Sequence, residues 1–319
     1  MAVSKRVIND LLLGAALTLS LFLAGVTLPI LGLAVGLLTP VPIAYYFRKV
    51  GRRYGALMLG AVVVLVASVA GLEVAVFFIA EFAAMGIALS ESVRMKLSIG
   101  KGSLLPAMVS LAGSAVLLLT LSSNVDKPLT EMIGEQINRN VKETVELYKK
   151  SGLSDEQVEG LIGFSGKIEA LILKTFPSLL FVSTLFVSLL NLLILKRLLK
   201  KRGIEEYQVE PANWRSPEFL IWVLIAGGGL LLLKDERAAT VGLNLLIVTG
   251  CLYLFQGLAI TAFYFKKMET PLFLRVLGYL LIFFQQIFTI LVIGLGLFDL
   301  WFDFRRLKKG GTDADNIDR

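Results

Sequence analysis

Eight long apolar runs, separated by short polar segments, dominate the chain. Each approaches the roughly 20 residues that a helix needs to cross the hydrocarbon core of a membrane. The runs are residues 7–26, 28–47, 55–70, 72–89, 103–121, 171–195, 219–233 and 241–265. Because a helix satisfies all its backbone polar groups internally, these runs predict an all-α polytopic bundle of about eight transmembrane helices.

A further apolar run, residues 272–301, is interrupted by Gln285 and Gln286. A single crossing would place the basic residues that follow it on the side opposite to the other basic clusters. A hairpin or a re-entrant pair would keep them on the same side, although each half is short for a full span. We therefore predict a C-terminal hairpin or re-entrant segment that turns near these two glutamines.

Residues 122–170 are the longest polar stretch between the apolar runs. Apolar residues recur there every three or four positions from Leu129 to Tyr148, which predicts an amphipathic helix. Ser154 and Gln157 form a capping box that predicts the start of a second helix. The predicted division is N-terminal membrane helices at 1–121, an extracytoplasmic insert at 122–170, C-terminal membrane helices at 171–305 and a cytoplasmic tail at 306–319.

Basic residues cluster at the ends of the apolar runs, whereas the insert has more acidic than basic residues. If each of the first eight runs crosses once, the long basic clusters fall on one side of the membrane. Cytoplasmic loops carry the excess of lysine and arginine. The pattern predicts a multi-pass protein of the bacterial inner (plasma) membrane with a cytoplasmic N-terminus.

The composition argues against several classes of protein. The residues AVILMFWYC make up 56% of the chain, charged residues make up 18%, and there is no histidine and one cysteine, Cys251. Histidine is the commonest general base and metal ligand, and Gly100-Lys101 lacks the upstream glycine of a phosphate loop because Met95 occupies that position. We expect no enzyme activity, catalytic residue, cofactor, metal or nucleic-acid partner. The expected partners are the lipid bilayer and either another membrane protein or a small-molecule substrate.

Polar residues inside the apolar runs are the candidate ligand-binding positions. Glu81 lies deep within one run, where an unpaired carboxylate costs several kcal/mol, by roughly the +2.5 to +3.5 kcal/mol scale for buried membrane charge. Asn244, Tyr253 and Gln256 lie together in another run. The alternatives are an ion pair between Glu81 and an arginine of another span, and hydrogen bonds from the other three to neighbouring helices.

Small residues indicate where helices approach each other closely. Ala16, Ser20 and Ala24 are four residues apart, as are Gly32 and Gly36, and this spacing favours helix packing or docking of a partner helix. Pro40 and Pro42 follow the two glycines. They predict either an interrupted second helix that exposes backbone groups, as in discontinuous transporter helices, or a simple kink.

Asp299 and Asp303 are one helical turn apart, and Arg305 and Arg306 follow directly. The two carboxylates are compatible with a proton or cation site. An interfacial cluster of salt bridges is the alternative, because opposite charges at this spacing pair readily.

The order of several short segments resembles the YybS-like family of uncharacterised bacterial multi-pass membrane proteins. The segments are Pro40-Val41-Pro42, Trp214-Arg215-Ser216-Pro217, Asn244-Leu245-Leu246, Tyr253 with Gln256-Gly257, Gly296-Leu297-Phe298-Asp299 and Asp303-Phe304-Arg305. The resemblance implies a membrane location and no particular chemistry. The spacing of Ala16, Ser20 and Ala24 also resembles the helix through which S components of energy-coupling-factor transporters dock their partner.

Two functions are compatible with these patterns. The first is a transporter-like component that binds a small molecule in the helical bundle, in a cavity lined by Glu81 and the polar residues of the run 241–265, and depends on a partner for energy. The second is a membrane scaffold or assembly protein whose insert or basic loops contact other envelope proteins.

Overall fold

The computed structural model describes residues 4–28, 30–125, 128–150, 155–204 and 211–306. Within these ranges every regular element is helical, which confirms the predicted all-α fold class. The chain forms two compact units, Met1–Tyr207 and Gln208–Arg319, and each is described by itself.

The first unit contains nine α-helices in the described ranges. They are α1 (Lys5–Thr27), α2 (Ile30–Gly36), α3 (Pro40–Val50), α4 (Arg52–Ala70), α5 (Leu72–Phe78), α6 (Ala84–Arg94), α7 (Ile99–Val125), α8 (Leu129–Lys150) and α9 (Asp155–Lys201). A π-helical segment, Ile79–Ala83, joins α5 to α6. These three elements form one candidate span, Leu72–Arg94.

Two apolar clusters hold the first unit together. The first lies among α1, α3, α4 and the α5–α6 span, where the rings of Phe22 and Phe78 meet edge to face with centroids 5.0 Å apart. The second joins α3, α6 and α9 around the fully buried Leu89, Leu192 and Leu195. Gly71 links α4 to α5 with φ +96°, a left-handed conformation that favours glycine.

The predicted second span, residues 28–47, is divided into α2 and α3 by a turn at residues 37–39. Pro40 occupies the first turn of α3, where its missing N–H costs no helical hydrogen bond. The structure therefore has the interruption that the two glycines and two prolines suggested.

The predicted amphipathic helix of the insert is α8, which packs against α9. Its apolar residues Ile133, Ile137, Val141 and Val145 are half-buried. The Nδ2 of Asn138 donates to the Glu169 carboxylate of α9 at 3.2 Å. The second insert helix continues without a break through residue 170 into the sixth predicted span, while the capping residue Ser154 lies outside the described residues.

The described residues of the second unit, 211–306, contain a short 3-10 helix, Pro211–Asn213, and four α-helices. These are α10 (Leu220–Leu231), α11 (Glu236–Lys267), α12 (Leu272–Phe284) and α13 (Gln286–Phe302). Between α12 and α13 the chain bends by 100° at Gln285, so the break lies where the two glutamines predicted it. The predicted tail at 306–319 lies outside the described residues after Arg306.

Six helices among the described residues are long and apolar enough to cross a membrane, and the bent pair α12 and α13 makes a seventh if it is one span. This count is below the eight runs counted in the sequence for two reasons. The run 28–47 is broken into α2 and α3, and α10 has only 12 residues, fewer than a straight crossing requires.

Candidate functional site

Glu81 is the tenth residue of the 23-residue candidate span Leu72–Arg94 and lies in its π-helical segment. A π-helical turn replaces the regular i→i−4 bonding of an α-helix and often occurs at functional sites. This segment rotates the helix between α5 and α6, so the orientation of the Glu81 side chain does not follow from a regular α-helical period.

The Glu81 carboxylate receives hydrogen bonds from two serines of α7. Ser110 Oγ donates to Oε2 at 2.9 Å, and Ser114 Oγ forms a short contact with Oε1. Both serines are buried, at 0% and 5% exposure. In the part of the chain that the structure describes, no lysine or arginine forms a salt bridge with Glu81, so the alternative of an ion pair with an arginine is not found there.

A close approach of two backbones brings the serines to Glu81. A Cβ at Gly113 would lie 2.7 Å from the carbonyl oxygen of Ala80, so α7 reaches the π-helical segment because this position has no side chain. Ser110 lies three residues before Gly113 and Ser114 directly after it, on the same helix. The sequence analysis missed both serines, although two small polar residues four apart in an apolar run are a detectable signal.

The interruption between α2 and α3 leaves a backbone carbonyl that a side chain of α9 satisfies. Asn191 is fully buried, and its Nδ2 donates to the Leu37 carbonyl at 2.8 Å and to the Val187 carbonyl at 2.8 Å. Its Oδ1 is buried and has no hydrogen-bond partner among the described residues. Asn191 therefore bonds to the turn between α2 and α3.

Gly32 and Gly36 pack against α1. A Cβ at Gly36 would lie 2.8 Å from the Cα of Gly25, and one at Gly32 would overlap the carbonyl oxygen of Ala24. Ala16 and Ser20, the other two residues of the predicted small-residue motif in α1, are exposed. Their predicted role in docking a partner helix stays a prediction.

The three other candidate ligand residues belong to α11 in the second unit. Asn244 Nδ2 donates to the Thr240 carbonyl of its own helix at 2.8 Å. Tyr253 is buried, and its backbone carbonyl faces Gly296 of α13. Gln256 is buried too, and its Nε2 donates to the Asp299 carboxylate at 2.9 Å. Since Glu81 lies in the first unit, the four residues do not form a single site within either unit.

Asp299 is the centre of a polar network that we call the Asp299 cluster. Gln256, Asp299 and Arg305 are its buried members, and Arg215, Ser216 and Asp303 are half-buried. Arg305 Nη2 donates to Asp299 Oδ2 at 2.8 Å, and both side chains are 0% exposed. The backbone N–H of Phe304 donates to Asp299 Oδ1 at 3.0 Å. Arg215 donates to Asp303 Oδ1 and to the backbone carbonyl of Asp299, both at 3.0 Å.

The Asp299 cluster fastens the segment before α10 to the end of α13. Arg305 Nη1 donates to the carbonyls of Ala212 and Trp214 at 2.6 and 2.9 Å, and the backbone N–H of Ser216 donates to Gln256 Oε1 at 3.1 Å. Two carboxylates face two guanidinium groups, so the charges balance. The alternative of a salt-bridge cluster thus describes Asp299 and Asp303 better than a cation site. Six residues of the segments that carried the YybS-like resemblance meet in this cluster.

A comparison with protein families gives one match, a family described as "Predicted membrane protein (DUF2232)", over residues 16–300. No curated protein and no solved structure matches the chain. The YybS-like resemblance and the likeness to S components stay predictions.

Proposed function

The chain belongs to the DUF2232 family of membrane proteins, and on that premise we propose that it is a transporter-like component that binds a small cationic ligand at Glu81. The observation that carries the proposal is a carboxylate in the middle of an apolar span whose described partners are two serine hydroxyls and no basic side chain. We further propose that it binds its ligand without transforming it and relies on a partner for energy.

The energetic argument starts from the cost of the carboxylate. An ionised side chain near the centre of a membrane helix costs roughly 2.5 to 3.5 kcal/mol, and such residues mark ligand or ion pathways or pair with an opposite charge. Neutral hydroxyl donors offset part of this cost. A bound cation offsets more, because it adds an opposite charge in a region of low dielectric constant.

The interrupted helix in the same unit supports the proposal. Membrane transporters place ligand sites beside discontinuous helices, whose free backbone groups coordinate ions and substrates. Here Pro40, the residue directly after the turn between α2 and α3, lies close to α6, since a Cβ at Gly86 would lie 3.2 Å from its carbonyl oxygen. Gly86 is five residues after Glu81. The chain next to the interruption therefore packs on the same span that carries the carboxylate.

The scaffold function is the alternative, and a scaffold that acts through its insert needs an apolar stripe on α8 that is free to meet another protein. Ile133, Ile137, Val141 and Val145 of this stripe are half-buried, and α8 packs on α9. Little of the stripe is left for a partner, which favours the binding function.

Glu81→Gln is expected to preserve folding and to weaken ligand binding, because glutamine keeps the shape of the side chain and removes its charge. Glu81→Asp keeps the charge, so it should weaken binding less. The measurement is a thermal-shift screen of the purified protein against metal cations and small organic cations. For a ligand that stabilises the wild type, the Kd obtained from the shifts should be at least about tenfold higher with Glu81→Gln. This is the loss expected for one charge-assisted contact.

Glu73→Gln is the matched control, because Glu73 lies in the same candidate span but is exposed near its start. It should respond to ligands as the wild type does. A ligand response that Glu81→Gln retains in full would contradict the proposed site.

We also propose that the protein lies in the inner membrane of a bacterium with its N-terminus in the cytoplasm. In a Cys251→Ala background, Glu143→Cys should react with a membrane-impermeant maleimide in intact cells, whereas Lys200→Cys should react only after the cells are opened. Both positions are exposed, on α8 and near the end of α9. The excess of basic residues near Lys200 is typical of a cytoplasmic end and supports this orientation. Labelling at position 200 but not at 143 in intact cells would contradict the proposal and indicate the opposite orientation.

A further inference from the structure

We propose that Glu81, Ser110 and Ser114 form an oxygen-lined site for one monovalent metal cation. The inference rests on the proposed function and names the class of its ligand. It goes beyond the sequence analysis, which expected no metal because the chain has no histidine.

The first argument is a count of hydrogens at the site. Ser110 Oγ lies 2.9 Å from Glu81 Oε2 and 3.4 Å from the Glu81 backbone oxygen. Ser114 Oγ contacts Glu81 Oε1 and lies 3.0 Å from the Ser110 backbone oxygen. A hydroxyl carries one hydrogen, so the two serines supply two hydrogens. The two backbone carbonyls belong to helices and accept N–H groups there, so the unmet demand lies at the ionised carboxylate, whose about four lone-pair sites face these two hydrogens. A cation would supply the positive charge that two neutral hydroxyls lack.

The second argument concerns the kind of cation. All the groups are carboxylate, hydroxyl or carbonyl oxygens, which are the ligands of hard metal cations. The site carries one negative charge, which a monovalent ion neutralises. The described residues hold no group of three histidine, cysteine or acidic side chains, so the additional carboxylates that usually accompany a divalent ion are not found in this part of the chain.

The third argument is the size of the site. The serine hydroxyls touch the carboxylate directly, and the two helices are in backbone contact at Gly113. An organic cation would have to push α7 away from the π-helical segment. A bare metal ion needs only a small outward shift of the three side chains, with the hydroxyl hydrogens turned away from it.

A proton is the competing occupant. Protonated Glu81 would donate to a serine oxygen and supply one of the missing hydrogens. The two occupants are distinguishable by titration. A metal ion at concentration c stabilises the folded protein by RT ln(1 + c/Kd), which rises with the ion concentration at constant pH, whereas the effect of a proton changes only with pH.

The test measures the unfolding temperature of the full-length protein in detergent during titrations with NaCl, LiCl and KCl. N-methyl-D-glucamine chloride keeps the ionic strength constant. The unfolding temperature of the wild type should rise with the logarithm of the concentration of at least one of the three ions above its Kd, and Glu81→Gln should show no such rise. Ser110→Ala and Ser114→Ala should each raise the Kd of that ion about tenfold, the expected effect of losing one polar contact.

Ser103→Ala is the matched control, since Ser103 is also buried on α7 but its Oγ bonds to the carbonyl of Ile99 in its own helix. It should keep the wild-type Kd. If either serine variant fails to fold, the remaining serine variant and Glu81→Gln decide the result, and equilibrium dialysis with radioactive sodium provides a second measurement on them.

Failure of this inference is distinguishable from failure of the proposed function. Stabilisation by organic cations alone, lost in Glu81→Gln, would overturn the metal site and keep the proposed function. A dependence on pH with no response to the three ions would identify a proton and overturn the metal site. An ion response that Glu81→Gln retains would overturn it as well, and no response to any cation would overturn both proposals.

Discussion

Replacing Asp299 by alanine is expected to lower the free energy of unfolding by about 3 to 5 kcal/mol, the range for removing one partner of a buried ion pair. The substitution leaves the guanidinium of Arg305 buried without its counter-charge, because both side chains are fully buried. It also removes the acceptors of Gln256 Nε2 and of the Phe304 backbone N–H. Denaturant titration of the purified protein in detergent measures the loss.

Asp235→Ala is the control for this prediction. Asp235 caps the exposed start of α11 by accepting a hydrogen bond from the Ala238 backbone N–H at 2.8 Å, so its loss should cost about 1 kcal/mol. In addition, Asp299→Ala combined with Arg305→Met should cost less than the sum of the two single changes, because it leaves neither charge unpaired. Equal losses of unfolding free energy in Asp299→Ala and Asp235→Ala, or additive losses in the double variant, would contradict the stabilising role of the cluster.

The membrane fold was predictable because its signal is local. A charge-free run of about 20 residues predicts a helix in lipid regardless of the rest of the chain. The break at Gln285 was predictable for the same reason, since two adjacent amides interrupt an apolar run. The number of spans was less predictable, because the length of a run does not reveal that residues 37–39 turn or that α10 has only 12 residues.

The surroundings of Glu81 were not predictable from its own segment. Its partners lie 29 and 33 residues further along the chain, and their position depends on the register between α6 and α7. That register is tied to the contact of Gly113 with Ala80 and to the π-helical segment, and neither has a distinctive local pattern. The sequence identified the charge that needs an explanation, while packing of two helices supplied its partners.

The Asp299 cluster was predictable from local sequence only in part. Asp299, Asp303 and Arg305 are close in sequence, and their pairing was a stated alternative. Gln256 was a candidate ligand residue because it lies in an apolar run, but 43 residues separate it from the carboxylate to which it donates. A polar side chain in a span indicates that it needs a partner, and only the fold identifies whether that partner is a ligand or a residue of another helix.

Gly296→Ala should destabilise the second unit, although alanine is the better helix former. A Cβ at this position would overlap the backbone carbonyl oxygen of Tyr253 and lie 2.9 Å from the backbone nitrogen of Gly257. Backbone atoms cannot turn aside as a side chain does, so α13 must move away from α11. Overpacking of this kind costs about 1 to 3 kcal/mol or more, and Gly296→Leu should prevent the two helices from packing at all.

Gly294→Ala is the matched control, since it makes the same substitution on the same helix at a position where a Cβ meets nothing within 4 Å. Here the helix propensity of alanine should stabilise the protein by up to about 1 kcal/mol. The two variants are thus expected to change the unfolding temperature in opposite directions, measured side by side in the same detergent. A Gly296→Ala protein as stable as Gly294→Ala would show that α11 and α13 do not depend on backbone contact, because any contact between them at this position has to tolerate the added methyl group.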